Sequence, residues 1–462
     1  MVSGASVAPP AERRLEGDPA VRRLFGTDGV RGPVGELITP ELALALGRAV
    51  VSVTDRAAPR VLVVRDTRES GPMLEGALSA GIAAGGGHAL LGGVLPTPAC
   101  ALLVTLLGLD LGAVVSASHN PYGDNGIKFF GADGMKLSDE AEARIEAAVR
   151  AGASRRSGPS APSPGRVEPL HGAAADYLRA LETRFAGLDL SGRRILLDCA
   201  NGAAHRLGPE IFRRLGAEIE VLADAPDGRN INAGCGSTHV EALGERVAAG
   251  GFHAGFAFDG DADRVLAADR RGEVVDGDEL IALAALHLRA EGRLAGNGVA
   301  VTVMTNYGFH RAMEAAGVEV ATTAVGDRNV LLELVRRGWA LGGEQSGHII
   351  DTGFVASGDG VAAALLALEA LGGSEMAERD AMEKLPQCLT SVRVRDREAV
   401  EEAAAVWAAA ETEDRALDGE GRVLIRPSGT EPVVRVMVEA PTPERCQAAL
   451  GRLVGVVERE LA

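Results

Sequence analysis

The feature that most restricts the fold of this chain is a recurring unit. Each unit is an apolar run, then a loop rich in Gly and polar residues, then an amphipathic helical stretch. RVLVVRDTR (60–68) opens one unit, and a helical stretch follows from about Glu69. LGAVVSASHN (111–120) is another apolar run that breaks into a polar loop. RRILLDCANGAAHRLGPEIFRRLGAEIEVL (193–222) reads strand, Asn-Gly loop, helix, strand, and GVAVTVMTNYGFHRAMEAAGVEVATT (298–323) repeats that layout. Such units predict parallel sheets covered by helices on both faces. Ligands of open sheets of this kind gather at the carboxyl ends of the strands, so the loops after the strands are where chemistry is expected.

Two stretches punctuate the series. AGASRRSGPSAPSPGR (151–166) is rich in Ser, Pro and Gly and reads as a linker or long surface loop. LGGSEMAERDAMEKLPQ (371–387) separates the third unit from a different final segment. That segment holds SVRVR (391–395), a helix expected from about Glu398 to Ala410, two further strands and a last helix. This order predicts a small α+β domain with an antiparallel sheet. The second and third units divide near Glu273. The 462 residues by themselves suggest about three domains, at roughly 150 residues each.

Composition excludes several classes. Hydrophobic residues make up 46%, which argues against disorder, and aromatics only 3%, so the cores must rest on Ala, Val and Leu. The net charge of −17 argues against nucleic-acid binding, which needs a basic face. It leaves room for small anions in a local basic cleft. No apolar run is long enough for a transmembrane helix, and residues 1–20 lack the core of a secretory signal and read as a disordered tail. The five cysteines (Cys100, Cys199, Cys235, Cys388, Cys446) are scattered, form no CxxC, and read as reduced thiols of a cytoplasmic protein.

Four loops carry chemistry. In AGFAFDGDADRVLAAD (254–269) an apolar strand breaks into Asp259-Gly-Asp261-Ala-Asp263-Arg264. Carboxylates at alternate positions can converge on one cation, and an all-oxygen set suits Mg2+ or Ca2+ better than zinc. An EF-hand loop would need an acidic residue at its twelfth position, which here is Arg270. A solvated acidic turn is the other reading. Ser116-Ala-Ser118-His119-Asn120-Pro121, with Lys128 beyond it, offers a hydroxyl that a neighbouring base or metal could activate. No G-x-S-x-G elbow is present, and an ordinary turn before a hairpin is the other reading. Arg426-Pro-Ser428-Gly429-Thr430-Glu431, with Arg435, can form a nest-like turn with an arginine clamp for phosphate, or simply a tight hairpin. Gly343-Glu344-Gln345-Ser346-Gly347-His348 suits hydroxyl recognition on a sugar, with His348 able to move protons. Gly326-Asp327-Arg328 and the segment from Phe25 to Gly32 add glycine-framed charges.

LFGTDGVRG (24–32), SASHNPYGDNGIKFF (116–130), DGDADR (259–264), GEQSGH (343–348) and RPSGTEPVVRV (426–436) together resemble the α-D-phosphohexomutase family, in order and spacing, over about residues 21–460. The resemblance implies an α/β protein. Three doubly wound mixed-sheet domains (21–165, 166–272 and 273–374), a linker (375–387) and a smaller α+β domain (388–462) would surround a central cleft. It implies one Mg2+ per chain, a phosphoserine at Ser118, and a sugar 1,6-bisphosphate as activator and intermediate. Ser118, Asp259, Asp261 and Asp263 would hold the metal. Lys128 and His348 would transfer protons, with Arg31, His119 and Arg264 supporting the phosphoryl group. Glu344, Ser346, Asp327 and Arg328 would contact the sugar, and Arg426, Ser428, Gly429, Thr430 and Arg435 the distal phosphate. The partner would be a small sugar phosphate, with no nucleic acid and no membrane; a homodimer and an activating kinase are compatible with it.

Two features point to the family member acting on glucosamine phosphates. FGTDGVRG replaces the Tyr-Asp-Ile-Arg-Gly start of hexose mutases, and Gln345 stands where those often carry Met. Residues 354–360 depart from the family's usual Thr-Thr pair before Gly-Asp-Gly, away from metal and serine. Activity on glucose or mannose phosphates, and sugar-phosphate binding without turnover, are the alternatives.

Overall fold

The computed structural model describes residues 24–26, 28–152, 163–428 and 432–462. The expected tail, most of the Ser/Pro/Gly-rich stretch 151–166, and Gly429 and Thr430 lie outside them. Four sheets are present among the described residues, of six, five, four and three strands. In the first, Leu111–Val115, Arg60–Arg65, His88–Val94 and Val167–Pro169 lie side by side and parallel. Asp124–Gly131 then adds antiparallel to Leu111–Val115, and Val30–Pro33 adds antiparallel to that. Strand Arg60–Arg65 shows why the apolar runs lack alternation. Val61 and Val63 face a cluster with Leu46, Leu74 and Ile145, while Leu62 and Val64 face another with Leu103 and Phe130. Both faces are covered by helices, so every position between the terminal arginines is apolar.

The second sheet has the parallel strands Ala254–Phe258, Arg194–Asp198 and Glu218–Leu222, extended antiparallel by Val265–Asp269 and Val274–Val275. The third has Glu319–Thr323, Gly298–Thr302 and Leu341–Gly343 parallel, and Ile349–Asp351 antiparallel at the edge. The last is antiparallel throughout, in the order Gln387–Arg393, Val433–Glu439, Arg422–Pro427. The sheets run slightly past the expected boundaries. Val167–Pro169 belongs to the first sheet, and Val274–Val275 completes the second.

One hydrophobic cluster runs through the first three domains, joining Phe130, Tyr177, Phe256 and Val361. The last domain has its own, built on Val400, Val434, Val438, Leu453 and Val457. The single helix expected over 398–410 is instead a 3-10 turn, Glu398–Glu402, followed by the helix Ala404–Leu417. Ala403 leaves helical geometry there, Val400 is fully buried, and the Trp407 indole N–H donates to the Val400 carbonyl at 2.8 Å. Among the described residues no helix is long and apolar enough to cross a membrane.

Candidate active site

All four chemistry-bearing loops are turns between antiparallel strands. The serine loop joins Leu111–Val115 to Asp124–Gly131, and the acidic loop joins Ala254–Phe258 to Val265–Asp269. The sugar loop joins Leu341–Gly343 to Ile349–Asp351, and the anion loop joins Arg422–Pro427 to Val433–Glu439. In the first three, a parallel strand runs into the loop and the chain returns as its antiparallel neighbour. That return holds the loop at both ends.

Ser118 is almost fully buried and stands at φ +50°, a left-handed conformation costly for a side-chain-bearing residue. Its hydroxyl donates to Asp259 Oδ2 at 2.5 Å and lies 3.3 Å from His119 Nδ1. The turn is held from behind by groups that sequence reasoning missed. The fully buried Arg68 donates to the carbonyls of Ser118 (2.9 Å), Asn120 (2.8 Å), Pro121 and Asp124 (3.1 Å), and its Nε pairs with Asp66 at 2.8 Å. Asp66 also accepts from Ser116 Oγ at 2.6 Å, and Ser116 Oγ accepts the Ser118 N–H at 3.0 Å. Asn232, from the second domain, donates to the Ser118 carbonyl at 2.9 Å. The only hint of this in the sequence is a charged Asp-Thr-Arg directly after a buried strand.

The acidic loop meets the serine loop closely. A Cβ on Gly260 would lie 2.5 Å from the Ser118 carbonyl oxygen, so glycine is needed there. Asp259, Asp261 and Asp263 are all buried, and one oxygen of each lies within 4.8 Å of the others. Burial, then repulsion from Asp263 and Asp261, pushes the Asp259 carboxyl well above the usual range. Burial works the same way on Asp263, but Lys128 and His348 outweigh it and hold Asp263 well below. One oxygen each of Asp261 and Asp263 is buried without a hydrogen-bond partner. Three buried carboxylates, two of them with an orphaned oxygen, are the donor set of a hard divalent cation. Lys128 Nζ lies 2.7 Å from Asp261 and 3.3 Å from Asp263, and Thr97 Oγ1 donates to Asp261 at 2.6 Å. Burial disfavours the charged lysine, but Asp261, Asp28 and Asp263 prevail and keep it an ammonium.

Arg31 pairs with Asp28, and Arg264 Nε lies 3.9 Å from Asp263. Burial first, and then these two guanidiniums, lower the pKa of His119, so it sits neutral beside the Ser118 hydroxyl. In the sugar loop Glu344 is buried and accepts the Gly326 N–H at 3.0 Å, while Ser346 is exposed. The Gly347 carbonyl accepts from Val265 N at 3.0 Å, docking this loop on the acidic one. His348 is buried. Its Nε2 accepts the Gly358 N–H at 3.1 Å, and its ring nitrogens lie 3.7 Å from Asp263 and Asp327. Burial opposes its charge, yet the two carboxylates raise its pKa.

Asp327 bonds to Lys136 of the first domain. The Arg328 guanidinium, expected on the sugar, is taken up by Asp139, Glu142 and the Leu137 carbonyl, and so ties the third domain to the first. Arg426 and Arg435 sit directly opposite each other on paired strands. Burial and then Arg435 lower the Arg426 pKa, so this pair gains from an anion between them. Ser428 stands beside them at the strand end; its neighbours Gly429 and Thr430 lie outside the described residues.

Known proteins share this fold. Models of the phosphoglucomutase/phosphomannomutase α/β/α domains I, II and III match residues 22–156, 175–272 and 276–389, and that of the C-terminal domain matches 389–453. A phosphoglucosamine mutase of Desulforudis audaxviator is 50% identical over 439 residues, 94% of this chain and 97% of its own. A phosphoglucomutase/phosphomannomutase family protein of Burkholderia thailandensis superposes with a TM-score of 0.80 at 24% identity, covering 95% of this chain and 97% of its own. An N-acetylphosphoglucosamine mutase of Aspergillus fumigatus, solved with GlcNAc-6P and magnesium, gives 0.67 at 18% identity, covering 96% and 97%. With four domain models in order along the chain and half its residues shared with a full-length relative, the chain belongs to the phosphoglucomutase/phosphomannomutase family.

Proposed function

We propose that this enzyme interconverts glucosamine 6-phosphate and glucosamine 1-phosphate through a phosphoserine at Ser118 and glucosamine 1,6-bisphosphate. The observation that carries the reading is the Ser118 hydroxyl, 2.5 Å from Asp259 in a buried three-carboxylate cluster that also holds Lys128. The name of the Desulforudis audaxviator relative directs the choice of sugar.

In the first half-reaction, O1 of glucosamine 6-phosphate attacks the phosphorus on Ser118. The P–O1 bond forms as the P–Oγ bond breaks; the O1 proton passes to His348 and the departing Oγ takes one from Lys128, and the second half-reaction reverses both transfers. The bisphosphate then turns end for end. Ser118 Oγ attacks the phosphorus on O6, which restores the phosphoserine and releases glucosamine 1-phosphate. Asp259, Asp261 and Asp263, with Ser118, are the residues that would hold Mg2+, which when bound supplies charge neutralisation at the phosphoryl oxygens. Such chemistry needs positioning and electrostatics above all. Arg31, His119 and Arg264 surround the transferred group. Lys128, held as an ammonium, is the proton donor of the Lys128–His348 pair. Glu344 and Ser346 take the sugar hydroxyls, with Asp327 and Arg328 behind them. Arg426, Ser428, Gly429, Thr430 and Arg435 take the distal phosphate in either orientation. The cysteines of the described residues are free thiols, in keeping with a reducing cytoplasm.

The test is turnover of glucosamine, glucose and mannose 6-phosphates, each with Mg2+ and a catalytic trace of sugar bisphosphate. The expected result is the highest kcat/KM for glucosamine 6-phosphate. A preference for glucose or mannose phosphates would overturn the choice of sugar.

A further inference from the structure

A closed circuit of charged side chains runs beside the acidic loop. The Lys136 ammonium bonds both Asp28 and Asp327. Asp327 lies 3.7 Å from one ring nitrogen of His348, whose other nitrogen lies 3.7 Å from Asp263. Asp263 lies 3.3 Å from Lys128, and Lys128 lies 3.8 Å from Asp28. Acidic and basic groups alternate all the way round. The first domain contributes Asp28, Lys128 and Lys136, the second Asp263, and the third Asp327 and His348. Lys136 and Asp28 have no part in the chemistry described above.

The local fold explains how Lys136 arrives there. After strand Asp124–Gly131 the chain turns through Gly134 at φ +75°, and Lys136 bridges back to Phe130. Two lysines on one arm thereby reach the same carboxylate. Asp28 gives one oxygen to Lys136 and the other to Arg31, and Lys128 stands at the edge of that second contact. Lys128 therefore has two claimants. It leans toward the acidic loop, at 2.7 Å from Asp261 against 3.8 Å from Asp28. Without Lys136, Asp28 and Asp327 would be short of counter-charge in a poorly solvated place. A carboxylate so placed draws the nearest cation strongly. The nearest cation to Asp28 beyond its own Arg31 is Lys128.

We propose that Lys136 is a positioning residue: by satisfying Asp28 and Asp327 together, it keeps Lys128 seated on the acidic loop and fixes the Asp327–His348 pair against Asp263. This rests on the reading of the acidic loop as a divalent-cation site in a phosphoryl-transfer centre. The probe is Mn2+, which accepts the same oxygen ligands, titrated calorimetrically into the full-length, substrate-free protein. Lys136→Met, by drawing Lys128 off the three carboxylates, is expected to bind Mn2+ several-fold more tightly than wild type. Its kcat should fall by about 10- to 100-fold, the usual cost of losing a group that orients a metal site, with a smaller change in KM. Asp28→Asn removes the competing claimant, so Mn2+ binding should weaken. Opposite shifts from two neighbouring substitutions do not arise from general damage to the fold.

Lys136→Met binding Mn2+ no more tightly than wild type, or both variants shifting in the same direction, would overturn the proposal. If Lys136→Met does not fold, Asp28→Asn decides alone, and unchanged or tighter binding overturns the proposal. Wild-type protein that takes no Mn2+ would instead overturn the reading of the acidic loop on which it rests.

Discussion

Ser118 owes its position to residues far from it in the chain. Arg68 lies 50 residues before it and Asn232 lies 114 after it, yet both donate to its carbonyl oxygen. Clusters such as Asp259-Gly-Asp261-Ala-Asp263 are legible in a sequence because their members are adjacent and their chemistry is unusual. Arg68 is not legible, because its four carbonyl partners are ordinary backbone in another loop. The guanidinium suits this task, since its donors point in a fixed fork where an ammonium is a single point. Arg68→Lys keeps the charge opposite Asp66 and loses most of the carbonyl bonds. Its kcat should fall by about 10- to 100-fold, by analogy with other orienting groups, with KM changed less and the protein still folded. Steady-state kinetics beside a melting curve check this; a wild-type kcat would mean that the serine loop holds its shape without Arg68.

At the scale of elements, the parallel strands are legible because both faces are buried and the runs are continuously apolar. The antiparallel returns are harder to read. Strand Asp124–Gly131 begins with polar residues, Asp124 bonding Asn120 of the serine turn and Asn125 bonding Ser70, and Ile349–Asp351 is only three residues long. The site depends on these returns, since they close each loop. Helix Gly277–Ala290, which starts beside the sugar loop, shows another cost of packing near the cleft. Asp276 caps it and pairs reciprocally with Glu279, while Asp278 is fully buried in its first turn. Burial, and then Asp276, push the Asp278 carboxyl up to about 7. The folded protein thus holds this proton more tightly than the unfolded chain does. Wild type has the stability from this group at low pH and loses it as pH rises from about 4, the unfolded value, to about 7. Asp278→Asn does not titrate. The Tm of the variant minus that of wild type should therefore rise across this window and level off above it. A difference that falls with rising pH would contradict the assignment.

At the scale of the molecule, length suggested about three domains and the described residues form four sheets, because the last domain is small. One hydrophobic cluster joins the first three domains, and the fourth packs around its own. Polar bonds tie the third and fourth domains: Tyr307 N–H donates to Glu439 at 3.0 Å, and Arg422 bonds both Glu439 and the Thr305 carbonyl. A block that fixes the serine, acidic and sugar loops, with a separately built domain bearing the arginine pair, suits a substrate that must turn between two poses. The net charge of −17 takes on a second meaning here. Excess acid over the whole chain coexists with Arg264 on the acidic loop and with Arg31, Lys128, Arg426 and Arg435 on strands beside the loops where a doubly phosphorylated sugar would lie. On the proposed mechanism Ser118 carries the phosphoryl group between sugar positions. The most direct test labels Ser118 with radioactive phosphate from a sugar 1,6-bisphosphate, then mixes the enzyme with unlabelled glucosamine 6-phosphate for a single turnover. The label is expected to leave Ser118, pass through glucosamine 1,6-bisphosphate and end in glucosamine 1-phosphate; label that stays on the protein or emerges as inorganic phosphate would overturn that mechanism.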